Sequence, residues 1–132
     1  MKVKTSELIG KALDYAVAIC KGKGIDLEDV NDPWITVDGI ADIPLHAYNP
    51  SQDWAIAGPI IEREWLDVTP WPNESREEMR WHCQQHDSGG DCAQYGSTPL
   101  TAAMRCYVAS KLGDEVEIPD ALRCTVGGPL YP

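Results

Sequence analysis

The chain has 132 residues, of which 21 are acidic and 11 are basic, so its formal net charge is −10. This length is typical of one domain, and a hydrophobic fraction of 43% is typical of a folded soluble protein rather than a disordered chain. No apolar run is long enough to cross a bilayer, and the negative charge disfavours binding to nucleic acid or to an anionic membrane.

The start of the chain does not resemble a secretory signal. Lys11 and Asp14 interrupt the apolar stretch that follows the first basic residues, and no small-residue cleavage site is present. The cysteines are odd in number and scattered, which indicates reduced thiols in the cytoplasm rather than a disulfide framework. They are Cys20, Cys83, Cys92, Cys106 and Cys124.

An amphipathic helix is predicted over residues 6–21. Thr5 or Ser6 can cap its start, and Gly22 ends it. One stripe along this helix is predicted to face solvent, and it consists of Glu7, Lys11, Asp14, Ala18 and Lys21. The remaining side chains are mostly apolar, which indicates a broad face packed on a sheet.

Extended segments and a long loop follow. Trp34–Val37 and Ile43–Tyr48 are predicted to be strands, the second one at a sheet edge because it contains a proline. Residues 67–78 are rich in Pro, Asn, Ser and Glu, which predicts an exposed loop. Met79–Gln85 and Cys92–Tyr95 are predicted to pair as a hairpin through a glycine-containing connection.

A second helix is predicted after Tyr48. Asn49 or Ser51 can cap it, and it meets Gly58 and Pro59 after about two turns. Because proline has no N–H and its ring crowds the preceding turn, the helix is predicted to end or kink at this point.

The third helix has the clearest boundaries. Thr98 is predicted to cap it, Pro99 occupies its first position, and Gly113 ends it. Its predicted core stripe is Leu100, Ala103, Met104, Tyr107, Val108 and Leu112. A neighbouring face of small side chains, which allows close approach to a sheet, is Ala102, Cys106 and Ala109.

The order of helix, strands, helix, hairpin and helix predicts an α+β fold. In this fold three helices pack on a short antiparallel or mixed sheet as a small α/β/α sandwich. Residues 1–118 are predicted to form this single domain, and the Pro/Gly-rich residues 119–132 are predicted to be a poorly ordered tail.

One cluster on the predicted hairpin has the residue types that zinc prefers, namely His82, Cys83, His86 and Cys92. Its spacing matches no standard zinc motif. His82 and Cys83 are adjacent on a strand, so their side chains point to opposite faces. Exposed histidines and a cysteine packed as a small apolar residue are therefore favoured, and no metal or cofactor is predicted.

No catalytic residue is predicted. Asp53 and Glu62 form a possible pair of carboxylates, but an Asp at a helix start usually interacts with the helix dipole. Cys106 is a possible nucleophile, but its place on the small face of the third helix favours a buried, inert thiol. The chain is therefore predicted not to be an enzyme.

The interrupted second helix is the predicted ligand site, since a broken helix lets a ligand approach the backbone. Aromatic and polar groups near the break can stack on a ligand or bind it, and an arginine in the third helix can hold an anion. The predicted site residues are Tyr48, Ser51, Asp53, Trp54, Gly58, Pro59 and Arg105. A structural alternative is that Trp54 is core and that Arg105 forms an ion pair with Asp53 or Glu62.

Three blocks of sequence carry a family resemblance. They are Lys4-Thr5-Ser6-Glu7-Leu8 with Ala12–Ala18, Tyr48–Ala55 with Gly58–Glu64, and Thr98-Pro99-Leu100 with Ala102–Asp114. Together they resemble the NinX-like family of small proteins from lambdoid and related tailed phages and prophages, over about residues 1–118. The resemblance implies a phage accessory protein of the bacterial cytoplasm. It carries over no activity and no catalytic residues.

Two functions are expected from this combination. The first is a non-enzymatic accessory protein that binds a small molecule, such as a nucleotide-derived host signal, to counter host defence. The alternative is an acidic protein-interaction module that inhibits a host or phage enzyme. A homodimer is left open.

Overall fold

The computed structural model describes residues 2–21, 47–85, 92–118 and 122 in full, and three further segments as strands only. The helices in chain order are α1 (Gly10–Cys20), α2 (Trp54–Arg63) and α3 (Pro99–Leu112). The strands are β1 (Lys2–Lys4), β2 (Ile25–Asp26), β3 (Trp34–Val37), β4 (Ala41–Pro44), β5 (Leu66–Pro70), β6 (Trp81–Gln85), β7 (Cys92–Gly96) and β8 (Glu115–Glu117). Two 3₁₀ turns cover Thr5–Glu7 and Glu77–Met79.

The described strands form three antiparallel sheets rather than one. β5, β6 and β7 make the sheet that positions α3, with β6 in the middle. β2, β3 and β4 make a second sheet, and β1 pairs with β8 in a third. Helices together with antiparallel sheets confirm the mixed α+β class, and the sandwich arrangement of the layers stays a prediction.

Helix α3 is the centre of the fold. All ten residues from Leu100 to Ala109 are buried, because the helix contacts β5, β6 and β7 as well as α1 and α2. The Thr98 cap and the Gly113 end are confirmed: Thr98 Oγ1 accepts from Thr101 N at 3.1 Å, and Gly113 has φ 90°. Leu112 was predicted to belong to the core, which is wrong, since this last residue of α3 is 38% exposed.

Helix α1 starts later than predicted and is buried more evenly. It begins at Gly10, and neither Thr5 nor Ser6 caps it. Thr5 is buried and bonds the far end of the fold instead, with Oγ1 donating to Gly113 O at 2.7 Å. The predicted solvent stripe is also wrong, since Asp14 is 4% exposed and Ala18 is fully buried.

Strand β5 lies partly in the segment predicted to be a loop. It pairs with β6 in a register that puts Leu66 opposite Gln85 and Val68 opposite Cys83. Leu66 and Val68 alternate with polar residues and face α3, as in a strand with one buried face. The Asp, Thr and Pro residues around them make this alternation hard to recognise in the sequence.

The predicted hairpin is confirmed as β6 and β7, with Gln85 opposite Cys92. The strand at Trp34–Val37 is confirmed as β3, whereas the segment predicted over Ile43–Tyr48 is a strand over Ala41–Pro44. Strand β8 covers Glu115–Glu117.

Most of the predicted tail lies outside the described residues. Leu122, its one described residue, is 2% exposed and belongs to the core. Among the described segments, no helix combines the length and apolar character needed to cross a membrane.

Candidate functional site

Helix α2 runs through Pro59 without ending there. It extends from Trp54 to Arg63, and Pro59 lies exposed within it. Asp53 is the residue before the helix, and its Oδ1 accepts a hydrogen bond from Ala55 N at 2.9 Å. Trp54 is 58% exposed, so the alternative in which it belongs to the core is wrong.

Two other predicted residues face the protein interior. Tyr48 is 4% exposed, and Ser51 is buried beside Asp14 of α1. Ser51 N donates to Asp14 Oδ1 at 2.9 Å, while Ser51 Oγ is buried without a well-formed hydrogen bond in the described part of the chain. This pair attaches the segment before α2 to α1.

The buried carboxyl of Asp14 is electrostatically unusual. Burial raises its pKa from 3.8 to about 6, against the opposing effect of the Ser51 N–H and hydroxyl. The carboxylate is therefore held in an environment that disfavours its charge.

Arg105 lies apart from these residues, at the floor of a surface cavity. Its Nε donates to Leu8 O at 2.8 Å, and its Nη1 donates to Tyr95 O at 2.8 Å. The side chain is buried, and none of the other predicted site residues lines this cavity. The structure therefore separates Arg105 from the 48–59 segment.

The cavity has a volume of about 530 Å³. Its walls come from the first 3₁₀ turn, the second 3₁₀ turn, and β7 with the residue that follows it. The lining residues are Ser6, Glu7, Ile9, Glu78, Met79, Ala93, Gln94, Tyr95, Ser97 and Arg105.

The Arg105 guanidinium has no carboxylate partner within ion-pair distance in the described part of the chain. Its two hydrogen bonds go to neutral carbonyl groups, and burial lowers its pKa from 12.5 to about 10 although the charge of Glu7 opposes this. The remaining nitrogen, Nη2, has no hydrogen-bond acceptor among the described residues, and it is not fully buried. The alternative in which Arg105 forms an ion pair with Asp53 or Glu62 is not what the structure contains.

An aromatic cluster continues the Tyr95 wall. Trp71 stacks on His82 with ring centroids 5.2 Å apart, and Tyr95 contacts both rings. His82 is therefore placed by ring contacts on the face of the sheet away from α3.

The candidate zinc ligands on the hairpin do not lie on one face of the sheet. His82 faces away from α3, whereas Cys83 is fully buried on the other face, as the alternation predicted. His86 lies outside the described residues. Within the described segments, no group of three or more His, Cys, Asp or Glu residues could hold a metal ion. Cys106 is buried as predicted, and its thiol donates to Cys92 O at 3.2 Å.

The residues that sequence reasoning missed are the walls of the cavity. Glu7 and Glu78 are 71 positions apart, and no local pattern connects them. The signal that was present is Arg105 itself, a charged residue among the small apolar residues of α3.

Two comparisons with known proteins bear on this chain. A family model described as "Bacteriophage P22, NinX" matches residues 4–111, which include all the described lining residues of the cavity. No curated protein matches the chain.

Proposed function

We propose that this chain, which belongs to the bacteriophage P22 NinX family, binds a small ligand through an anionic group held by Arg105. The observation that carries the proposal is a buried guanidinium that lines a cavity of about 530 Å³ and has no ion-pair partner among the described residues.

The energetics of burial favour this interpretation. Removing a charged group from water costs several kcal/mol unless a partner compensates for it. The carbonyls of Leu8 and Tyr95 supply hydrogen bonds but no opposite charge. A ligand carboxylate or phosphate would add a charge-assisted hydrogen bond at Nη2.

The rest of the cavity suits a small organic molecule. Its volume falls within the range of about 300–1,000 Å³ that ligand sites usually have. Ile9 and Met79 provide apolar surface, while Ser6 and Ser97 provide hydroxyl groups that can orient a ligand.

The proposal keeps the expected ligand class and changes the site. A nucleotide-derived molecule and a simple carboxylate both present an anion to Arg105, and we propose that the protein sequesters such a molecule in the host cytoplasm without catalysing a reaction. The 48–59 segment then attaches α2 to α1 and has no direct role in binding.

Titration calorimetry with nucleoside monophosphates and small carboxylates tests the proposal. Binding should weaken by about tenfold or more in Arg105→Met, and partly in Arg105→Lys, which keeps the charge but loses the planar fork. Arg63→Met removes an exposed arginine outside the cavity and should leave affinity unchanged.

A second measurement covers the case in which Arg105 variants do not fold. Ser97→Trp places a large side chain at an exposed position of the lining and should abolish binding while preserving the fold. Ligand at 100 times Kd should stabilise the parent chain by about 2.7 kcal/mol in a thermal-shift assay. The absence of any stabilisation across the panel would refute the proposal.

A protein-interaction role has one observation in its favour. Trp54 at the start of α2 and Trp65 just beyond its end are 58% and 72% exposed, and exposed tryptophans often dominate binding interfaces. If α2 contacts a host or phage enzyme, a Trp54→Ala/Trp65→Ala double variant should lose a complex that size-exclusion chromatography of infected-cell extract detects with the parent chain.

A further inference from the structure

The cavity lies along the free edge of β7. Among the described strands, β7 is at the end of its sheet and pairs with β6 alone. Ala93 and Gln94 both line the cavity, although adjacent residues of a strand point to opposite faces. A cavity that reaches both faces must lie at the strand edge, on the side opposite β6.

The backbone at this edge is available for hydrogen bonding. Arg105, which lines the cavity, donates to Tyr95 O, as a carbonyl on the free edge of β7 allows. Because backbone groups alternate with a period of two, the N–H and C=O groups of Ala93 point the same way. In the described part of the chain, no backbone hydrogen bond joins Ala93 to an element other than β6.

The charges around the cavity select the kind of anion. Among the described residues that line it, Arg105 is the one cation, whereas Glu7 and Glu78 contribute two carboxylates. An adjoining hollow of about 310 Å³ shares Ser6 and Gln94 with the cavity, and it adds Lys4 but also Asp114 and Glu115. A polyphosphate would be repelled by this surface, while a single carboxylate attached to a neutral or basic chain would not.

We propose, building on the proposed function, that the ligand is the free carboxyl end of an extended peptide that adds as a strand to the edge of β7. Its terminal carboxylate binds the Arg105 guanidinium, and its backbone bonds Ala93. Basic side chains further back in the peptide lie near Glu7 and the acidic residues of the adjoining hollow. The partner is therefore a protein with an exposed, basic carboxyl terminus.

The test compares three probes on the full chain. These are an acetylated pentapeptide with two lysines and a free carboxyl end, the same peptide with a carboxyl-terminal amide, and adenosine monophosphate. The free acid should bind at least about tenfold more tightly than the amide, since the amide removes the charge that Arg105 faces. Hydrogen exchange at the Ala93 N–H should slow when the free acid is bound.

Two variants separate strand addition from simple anion binding. Ala93→Pro removes the edge N–H and should weaken peptide binding about tenfold or more, whereas Arg63→Met, which lies outside the cavity, should bind as the parent does. If Ala93→Pro does not fold, hydrogen exchange at the Ala93 N–H of the parent chain decides between the two, and unchanged exchange with the free acid bound overturns strand addition.

Each outcome has a definite meaning. Equal affinity for acid and amide overturns the inference, because the carboxylate would then not be what Arg105 holds. Binding of adenosine monophosphate without peptide overturns the inference and leaves the proposed function standing. Binding of no peptide, nucleotide or small carboxylate overturns both.

Discussion

The buried Asp14 carboxyl makes a sharp prediction about stability. Its pKa is raised by burial to about 6, and Ser51 N is its hydrogen-bond donor at 2.9 Å. Asp14→Asn keeps an acceptor for this bond and adds an NH₂ group that can donate to the buried Ser51 Oγ. We therefore expect the substitution to stabilise the protein at neutral pH.

The magnitude follows from the difference between folded and unfolded states. With a pKa of 3.8 when unfolded and about 6 when folded, Asp14 binds a proton only in the folded state between these pH values. The free energy of unfolding therefore falls as pH rises from about 4 to 6, by about 3 kcal/mol at about 1.4 kcal/mol per pH unit. Asp14→Asn should thus be more stable than the parent by up to about 3 kcal/mol at pH 8 and nearly equal to it below pH 4.

Urea unfolding at several pH values between 4 and 8 measures this difference. Glu62→Gln, an exposed acid-to-amide change on α2, is the matched control and should alter stability by less than about 0.5 kcal/mol. If Asp14→Asn destabilises the protein at pH 8, the carboxylate is favourably ionised in the fold, and the reasoning from burial is wrong.

Four further substitutions test the backbone, each by urea unfolding. Gly96→Ala should destabilise the protein by about 1–3 kcal/mol, because the added Cβ would lie 2.6 Å from the backbone N of Ala102. Gly58→Ala places its Cβ in open space on a helix and should stabilise the protein by up to about 1 kcal/mol. A neutral Gly96→Ala would mean that β7 and α3 can separate without cost. Pro59→Ala should stabilise by about 1–3 kcal/mol, since it restores a backbone N–H inside α2, and a loss of stability would show that the proline is needed for packing. Trp65→Gly should stabilise by about 0.5–1 kcal/mol because Trp65 has φ 56° and is 72% exposed, and a large loss would show that its ring makes essential contacts.

Local signals predicted the ends of α3 and the hairpin of β6 and β7. The Thr98 cap, the proline that follows it and the glycine at the helix end act within a few residues, so they can be recognised without knowledge of the fold. The same approach placed Asp14 on a solvent face, because its spacing along α1 matches that of charged neighbours. Its burial depends on Ser51, 37 positions away, which no helical period reports.

Of the described residues that line the cavity, Arg105 alone was predicted from the sequence to be a site residue. Arg105 is distinctive because it is charged among small apolar neighbours, and it does line the cavity. The walls come from separate parts of the chain that meet through tertiary packing, so their association could not be derived from spacing. Pro59 drew attention to α2 because interior prolines usually break helices, but here it lies on the exposed side and the helix continues.

The wall formed by residues 6–9 is fastened to α3 at both of its ends. Thr5 is bonded to Gly113 and Asp114 just beyond the helix, and Leu8 is bonded to Arg105 within it. A segment this short that is bonded at both ends has little conformational freedom. The cavity is therefore already formed before a ligand binds. Association should accordingly proceed in a single kinetic phase whose observed rate rises linearly with ligand concentration, without the plateau that a slow rearrangement imposes.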